Sequence, residues 1–171
     1  MTHPILQTER LTLRAPDHRD EAAMMEFFQS DFGVYWGGPF GGVEAWNRFS
    51  AIVGQWTLRG YGLMSIVLRE TEETIGIAGP YHPTGFAEPE MSWLLCNPSL
   101  GGKGYAREAC EAQIAHEFAI RTWPTMVSFI HVENAPSIAL AKRLGAAFDA
   151  DTKANLPNCI TYRHWPEGAD G

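Results

Sequence analysis

The chain reads as one α/β domain, and three observations carry that reading. Short runs of alternating apolar and polar residues interleave with runs of helical period along the sequence. A glycine-dense turn at Leu100-Gly101-Gly102-Lys103-Gly104 flows without a break into a helix-forming segment. No repeat, low-complexity tract or linker divides the 171 residues, of which 45% are hydrophobic. One substantial core is therefore expected, in a single domain spanning 1–171 with its core at about 8–166.

The elements follow in order. Arg10-Leu11-Thr12-Leu13-Arg14 alternates as a half-buried strand and stops at Ala15-Pro16. Asp17 can cap a helix running from about His18 to Phe28. Phe32 to Gly42 mixes aromatics with glycine and is expected to be a loop with large apolar groups. Tyr35, Trp36 and Phe40 in it either cap the core or wall a substrate pocket. Val43 to Leu58 predicts a second helix, whose Trp46, Phe49, Ile52 or Val53 and Trp56 recur at helical spacing and read as core. Gly60-Tyr61-Gly62 breaks it. Leu63 to Arg69 and Ile75 to Gly79 read as an antiparallel pair across the charged turn Glu70 to Thr74.

Pro80 to Pro89 is a longer loop, and Glu90 to Cys96 a strand leading into Asn97-Pro98 and the glycine turn. The next helix, about Gly104 to Arg121, places Ala106, Cys110, Ile114 and Phe118 on one stripe and Glu108, Glu111 and Glu117 largely elsewhere. Cys110 is then a small core residue. Met126 to Val132 predicts a buried strand, Ala135 to Leu144 a short helix stopped by Gly145, and Cys159 to Trp165 a final strand.

Composition narrows the function classes. Thirteen Lys+Arg against twenty Asp+Glu give a formal charge of −7 with no basic run, which argues against a nucleic-acid partner. The excess of acid suits a cationic substrate such as an amine, and equally serves solubility. Cys96, Cys110 and Cys159 are widely spaced and odd in number, so neither a disulfide framework nor a zinc pattern is expected, and no other metal site is read. No signal-like or membrane-spanning segment is seen, and the chain reads as cytoplasmic with no membrane partner.

The glycine turn is an anion cradle. Glycine allows close backbone approach and positive φ, and the first N–H groups of a helix carry the positive end of its dipole. A Walker loop would need Ser or Thr after Lys103, where Gly104 stands. A Rossmann fingerprint would need a small residue at Arg107 and a place near the start of a βαβ unit.

The frame Gly101-Gly102-Lys103-Gly104-Tyr105-Ala106 instead resembles the pyrophosphate loop of the GNAT acetyltransferases, Arg/Gln-x-x-Gly-x-Gly/Ala, with Gly101 in place of the usual Arg or Gln. Two further motifs carry the resemblance. Asn134-Ala135-Pro136-Ser137 followed by Lys142-Arg143-Leu144-Gly145 is similar to the family's Asn-x-x-Ser and Lys-x-Gly run. Thr8-Glu9-Arg10-Leu11-Thr12-Leu13-Arg14 resembles the opening strand of the branch that acetylates N-terminal amines of ribosomal proteins. The resemblance implies a GNAT fold with a mixed, mostly antiparallel sheet that splays open beside the CoA loop. It also implies acetyl-CoA as co-substrate, an amine acceptor that is a small molecule or a protein N-terminus, and a homodimer.

Residue by residue, the resemblance puts Gly102, Lys103, Gly104, Tyr105 and Ala106 around the pyrophosphate. It puts the exposed backbone of Leu95 and Cys96, with the side chain of Asn134, along the pantetheine arm. Asn134 also reads as the cap of the helix that follows it. The chemistry asks for more. An α-amine titrates near 8 and a lysine-type amine near about 10.4, so an acceptor must lose a proton before attacking a thioester. Glu90, at the start of the strand leading to the cradle, is the first choice of base, Glu88 the second, and His82 and His131 are alternatives. Many family members protonate the leaving thiolate with a tyrosine seven positions after the asparagine. Ala141 stands there, so Ser137 becomes the expected donor. A backbone N–H near Leu95 would meet the oxyanion. Tyr35, Trp36 and Phe40, with Tyr81, His82 and Glu88 of the following loop, would form the acceptor pocket. A non-catalytic acyl-CoA-binding module is the principal alternative, and a nucleotide-phosphate binder the third.

Overall fold

Alternating residues build the central sheet, and helices anchored by a few buried side chains cover it. The computed structural model describes residues 3–168. Its order is β1 (Ile5–Gln7), β2 (Leu11–Arg14), α1 (Glu21–Gln29), α2 (Gly42–Arg59), β3 (Met64–Leu68), β4 (Thr74–Tyr81), β5 (Glu90–Leu95), α3 (Tyr105–Ile120), β6 (Met126–His131), α4 (Ala135–Arg143), β7 (Ala147–Asp149) and β8 (Cys159–His164). The eight strands form one sheet in the order β1-β2-β3-β4-β5-β6-β8-β7, antiparallel throughout except between β5 and β6.

Met24, Phe27 and Phe28 of α1 and Phe49 and Ile52 of α2 pack with Leu63, Ile77 and Leu94. A separate cluster joins Ala109 and Cys110 of α3 to Leu11, Leu13, Ile66 and Met91. Ala141 of α4 packs with Ile130 and Tyr162 beyond the β5–β6 junction. Helix α4 ends as its Gly145 predicts: φ is +80° there, Gly145 N–H donates to Lys142 O at 3.1 Å, and Ala146 N–H donates to Ala141 O at 3.0 Å.

Four expectations need correction. The strands β1 and β7 have too few residues, three each, and too much exposure to leave an apolar alternation in the sequence. The segment expected as a loop from Phe32 begins as a 3₁₀ turn, Asp31–Trp36, capped by the Ser30 hydroxyl and ended by Gly37 at φ +88°. Trp46 is 52% exposed, because the buried face of α2 runs through Ala45, Phe49, Ile52 and Trp56 and leaves Trp46 one step off it. In α3 the buried face is Ala109, Cys110, Gln113 and Glu117, with Ala106, Ile114 and Phe118 half-buried. Glu117 is held there by an ion pair with Arg121, whose guanidinium lies over Tyr61 at 4.4 Å.

The entry to α1 is fixed by a buried carboxylate. Asp17 caps a 3₁₀ turn (His18–Asp20) that leads into α1, accepting from Arg19 N–H at 2.9 Å. Asp20 is fully buried and accepts from both Arg14 guanidinium nitrogens at 2.8 Å, Ser65 Oγ at 2.7 Å, Thr74 Oγ1 at 2.6 Å and Asp17 N–H at 2.9 Å. One side chain thereby joins α1 to β2, β3 and β4. Burial alone would raise its pKa, but Arg14, Thr74, the Asp17 backbone and Ser65 outweigh it and hold the carboxyl below its usual value. Asp20→Ala would leave Arg14, whose side chain is 14% exposed, with only the longer 3.5 Å contact to Asp17, and should cost about 3 kcal/mol in urea unfolding. Because the folded-state pKa is the lower one, this difference should be full at neutral pH and shrink as the pH falls below about 4.

Candidate active site

The site begins where two neighbouring strands stop pairing. β5 is paired with β4 along its length, from Tyr81↔Glu90 to Gly76↔Leu95. On its other edge it meets β6 only at Glu90↔Val127, where Val127 N–H donates to Pro89 O at 3.1 Å. Beyond that point a side chain replaces the ladder: Ser128 Oγ donates to Met91 O at 2.6 Å and lies 2.9 Å from His164 Nε2. With the serine proton committed to Met91, His164 must donate through Nε2 as a neutral imidazole, consistent with burial pulling its pKa down to about 4.

The register decides which backbone groups face the gap. Cys96 N–H donates to Ile75 O at 2.9 Å, and by the same alternation Leu94 and Ser92 spend their backbone groups on β4. By antiparallel alternation Trp93 and Leu95 turn theirs to the open edge. Cys96, expected with Leu95 on that edge, is therefore turned the wrong way, and Trp93 takes its place. The Cys96 thiol is pushed up to about 12, chiefly by burial and further by Glu26, Asp20 and Glu73, which leaves no thiolate for nucleophilic work.

A cavity of about 470 Å³ fills the gap and extends beneath α2. It brings together Tyr35, Trp36, Tyr81, Glu90, Asn134 and Ser137 from the residues anticipated in the sequence, with His131. Three anticipated pocket residues are not among its walls. Phe40 is packed edge-on against Phe28, with ring centroids 6.2 Å apart. His82 is engaged by Tyr61 Oη at 2.7 Å and Phe86 O at 3.2 Å, and burial lowers its pKa. Glu88 is bound by Arg163 at 2.7 and 3.0 Å and by Thr125 Oγ1 at 3.0 Å. A carboxylate so paired is a structural tie.

Glu90 has the opposite environment. It is half-buried in the cavity wall with no ion pair to a described residue, and burial pushes its carboxyl up to about 7 against the weaker pull of the Ser92 hydroxyl and the Phe129 backbone. Asn134 accepts from Ser137 N–H at 3.2 Å through Oδ1, capping α4, and its Nδ2 group donates to no described residue. The Ser137 hydroxyl, also at the cavity, bonds to no described residue.

The cradle lies at the far end of β5. Gly102 and Gly104 have φ of +74° and +84°, and Gly104 is the residue from which α3 starts. Glu108 N–H is the first to bond back, to Gly104 O at 3.0 Å, and the N–H groups from Gly102 through Arg107 donate to no described acceptor. Such a row of free donors at a helix start is the fit a diphosphate requires. Gly101 contributes none, since its N–H closes a turn onto Pro98 O at 2.9 Å. The opening-strand motif explains how the loop is held. Thr8 Oγ1 and Arg10 N–H donate to Glu108 Oε1 at 2.6 and 2.9 Å. The Arg10 guanidinium pairs with Glu108 Oε2 at 2.7 Å, donates to Lys103 O at 2.9 Å and lies 4.6 Å over the Tyr105 ring.

Sequence reasoning missed the contribution of α2. Glu44, Asn47, Arg48 and Ala51 all line the cavity, and their i, i+3, i+4, i+7 spacing marks one helix face. A polar stripe opposite a buried one ordinarily signals solvent, and only the gap in the sheet makes it a wall. Among the described residues no group of three or more His, Cys, Asp or Glu could hold a metal ion, and no helix is long and apolar enough to cross a membrane.

Comparison with known proteins agrees with this geometry. Residues 10–147 match the acetyltransferase (GNAT) domain family. The uncharacterized N-acetyltransferase YnaD of Bacillus subtilis (strain 168) is 27% identical over 152 residues, covering 89% of this chain and 88% of its own. The crystal structure of an acetyltransferase from Agrobacterium tumefaciens str. C58 superposes with a TM-score of 0.90 at 35% identity, over 97% of this chain and 96% of that one. RimL, a ribosomal L7/L12 alpha-N-protein acetyltransferase solved with coenzyme A, shares the fold with a TM-score of 0.74 at 17% identity, over 95% of this chain and 98% of its own.

The environment of Glu90 has a measurable cost. Its folded-state pKa of about 7 lies above the ordinary 4.5, so the folded protein loses stability as the pH rises between those values. Glu90→Gln should therefore match wild type near pH 4 and exceed it by up to about 3 kcal/mol at pH 8 in denaturant unfolding. Equal stabilities at both pH values would mean that the carboxylate is not desolvated.

Proposed function

The chain belongs to the GNAT acetyltransferase family, and from that premise we propose that it moves the acetyl group of acetyl-CoA to a primary amine by direct attack in a ternary complex. The acceptor is a small-molecule amine or a protein N-terminus. One observation carries the reading: a carboxyl near neutrality, Glu90, stands where β5 and β6 part, in the same cavity as Asn134 and Ser137.

Acetyl-CoA, when bound, supplies an activated acyl thioester. The free N–H groups from Gly102 to Arg107, including those of Lys103, Tyr105 and Ala106, would hold its pyrophosphate at the positive end of α3. Trp93 and Leu95 would offer the pantetheine arm an open strand edge, and Asn134 a free Nδ2 donor. Glu90 draws a cationic amine when ionised and takes its proton, directly or through water. A base titrating near 7 is matched to that task, being both substantially ionised and still basic at neutral pH. A backbone N–H on the open edge of β5 would face developing negative charge. The Ser137 hydroxyl, which bonds to no described residue and lies at the same cavity as Asn134, would hydrogen-bond the departing sulfur.

The test separates binding from chemistry. Gly104→Val places a branched side chain at φ +84° and a Cβ 3.3 Å from the Arg10 guanidinium, and should abolish CoA binding in calorimetry while circular dichroism stays native. Unchanged CoA affinity would refute the cradle assignment. Glu90→Gln should leave CoA affinity intact but lower kcat by about 10²–10⁴-fold and flatten the rise of rate with pH through about 7. CoA binding without CoA release in the presence of any amine or peptide N-terminus would instead favour a non-catalytic binding module.

A further inference from the structure

The cavity contains an arginine that neither the fold nor the proposed proton transfer uses. Arg48 lines it from α2, and its guanidinium lies 4.0 Å over the ring of Phe40. Phe40 is only 9% exposed and is itself locked against Phe28, so the shelf beneath the guanidinium is rigid. Arg48 makes no hydrogen bond and no ion pair with any described residue. Glu44, one turn earlier and also at the cavity, is spaced i, i+4 from it, a separation at which Glu and Arg ordinarily pair, yet no ion pair forms between them. Stacking on Phe40 holds the guanidinium elsewhere and leaves its in-plane N–H fork open.

The arrangement draws a cationic amine through Glu44 and Glu90, yet a simple amine would leave Arg48 without a counter-charge. It is right for a ligand that brings its own anion. An exposed, stacked guanidinium is pre-organised to receive a carboxylate through two parallel hydrogen bonds. Arg48 and Glu90 both act on the Tyr81 hydroxyl, the first favouring its ionised form and the second opposing it, so both stand within electrostatic reach of one wall residue. Trp36, Phe86 and Phe129 are among the walls of the same cavity.

We propose that the acceptor is an amino-acid-like small molecule, whose carboxylate binds Arg48 while its amine is presented at Glu90 and its apolar side chain lies against the aromatic wall. This rests on the acetyl-transfer reading and narrows it, since the N-terminal amine of a protein carries no neighbouring carboxylate of its own.

Steady-state CoA release would be measured with L-phenylalanine, L-leucine and L-methionine, each beside its methyl ester and its decarboxylated amine. For the preferred side chain, the free acid should exceed its ester in kcat/KM by about 10- to 100-fold, the range of a charge-assisted hydrogen-bonded pair. Arg48→Gln should bring that ratio to about one, and Arg48→Lys should restore part of it without the fork. Esters or decarboxylated amines used as well as the acids would overturn the proposal, as would an Arg48→Gln variant that keeps the wild-type ratio. Acetylation of short peptides but of none of the amino acids would overturn it while leaving acetyl transfer standing. Bound CoA with no release by amino acid, amine or peptide would remove both readings.

Discussion

The parting of β5 from β6 is the constraint on which the rest of the molecule depends. A parallel pair that ran in register would consume the backbone edges of Trp93 and Leu95 and close the cavity. Pairing at Glu90↔Val127 alone leaves those groups free. The parting is built in at the base. Arg163 of β8 ties Glu88, just before β5, to Thr125, just before β6, and to Asp149 of β7. Ser128 bridges to Met91 one step further on. The strands are bolted at their N-terminal ends and released at their C-terminal ends, where the cradle and Asn134 follow in the chain. Open α/β sheets expose their ligand sites at that same end of the strands.

The released end needs its own support, because free backbone donors are useful only if their positions are fixed. For the cradle this comes from the opposite side of the sheet. Glu108 gathers Thr8 and Arg10 from the β1–β2 turn, and Arg10 passes the constraint to Lys103 O. The carboxylate also sits in the first turn of α3, where it complements the helix dipole. Its pKa is held low by Thr8 and Arg10 despite partial burial, so the clamp stays ionised at neutral pH. The motif at Thr8 to Arg10 thus acts far from its own strand, which local sequence pattern has no means of expressing.

That difference between local and distant partners explains what the sequence did and did not disclose. Wherever one residue's role follows from its neighbours in the chain, it was legible: the alternation of Leu11 and Leu13, the cap at Asp17, the stop at Gly145, the burial of Cys110, the positive φ of Gly102 and Gly104. Roles set by partners 40 or more positions away were not. Asp20 gave no sign of its ties to Ser65 and Thr74. Glu117 looked like a surface acid, and Trp46 like a core aromatic, because helical period gives a stripe but only to within about one residue. The polar face of α2 became a cavity wall only through the gap in the sheet. Cys96 was misplaced by a single step, which in a strand reverses the direction of every backbone group.

Glu88 and Glu90 show the same rule at the level of charge. They are two residues apart, identical in chemistry, and the sequence offered both as bases. Arg163 and Thr125 surround the first, whereas the second enters an aromatic cavity with no ion pair to a described residue. Their environments therefore divide them into a structural carboxylate and a reactive one. The overall charge of −7 is silent on this division, because the charges that face the cavity are few and of both signs: Glu44 and Arg48 on α2, Glu90 on β5. Substrate choice in such a site is decided by which of those few charges lacks a partner within the protein. Glu44, Arg48 and Glu90 all lack an ion pair with a described residue, so a ligand that carries an anion beside its amine meets charges of both signs there.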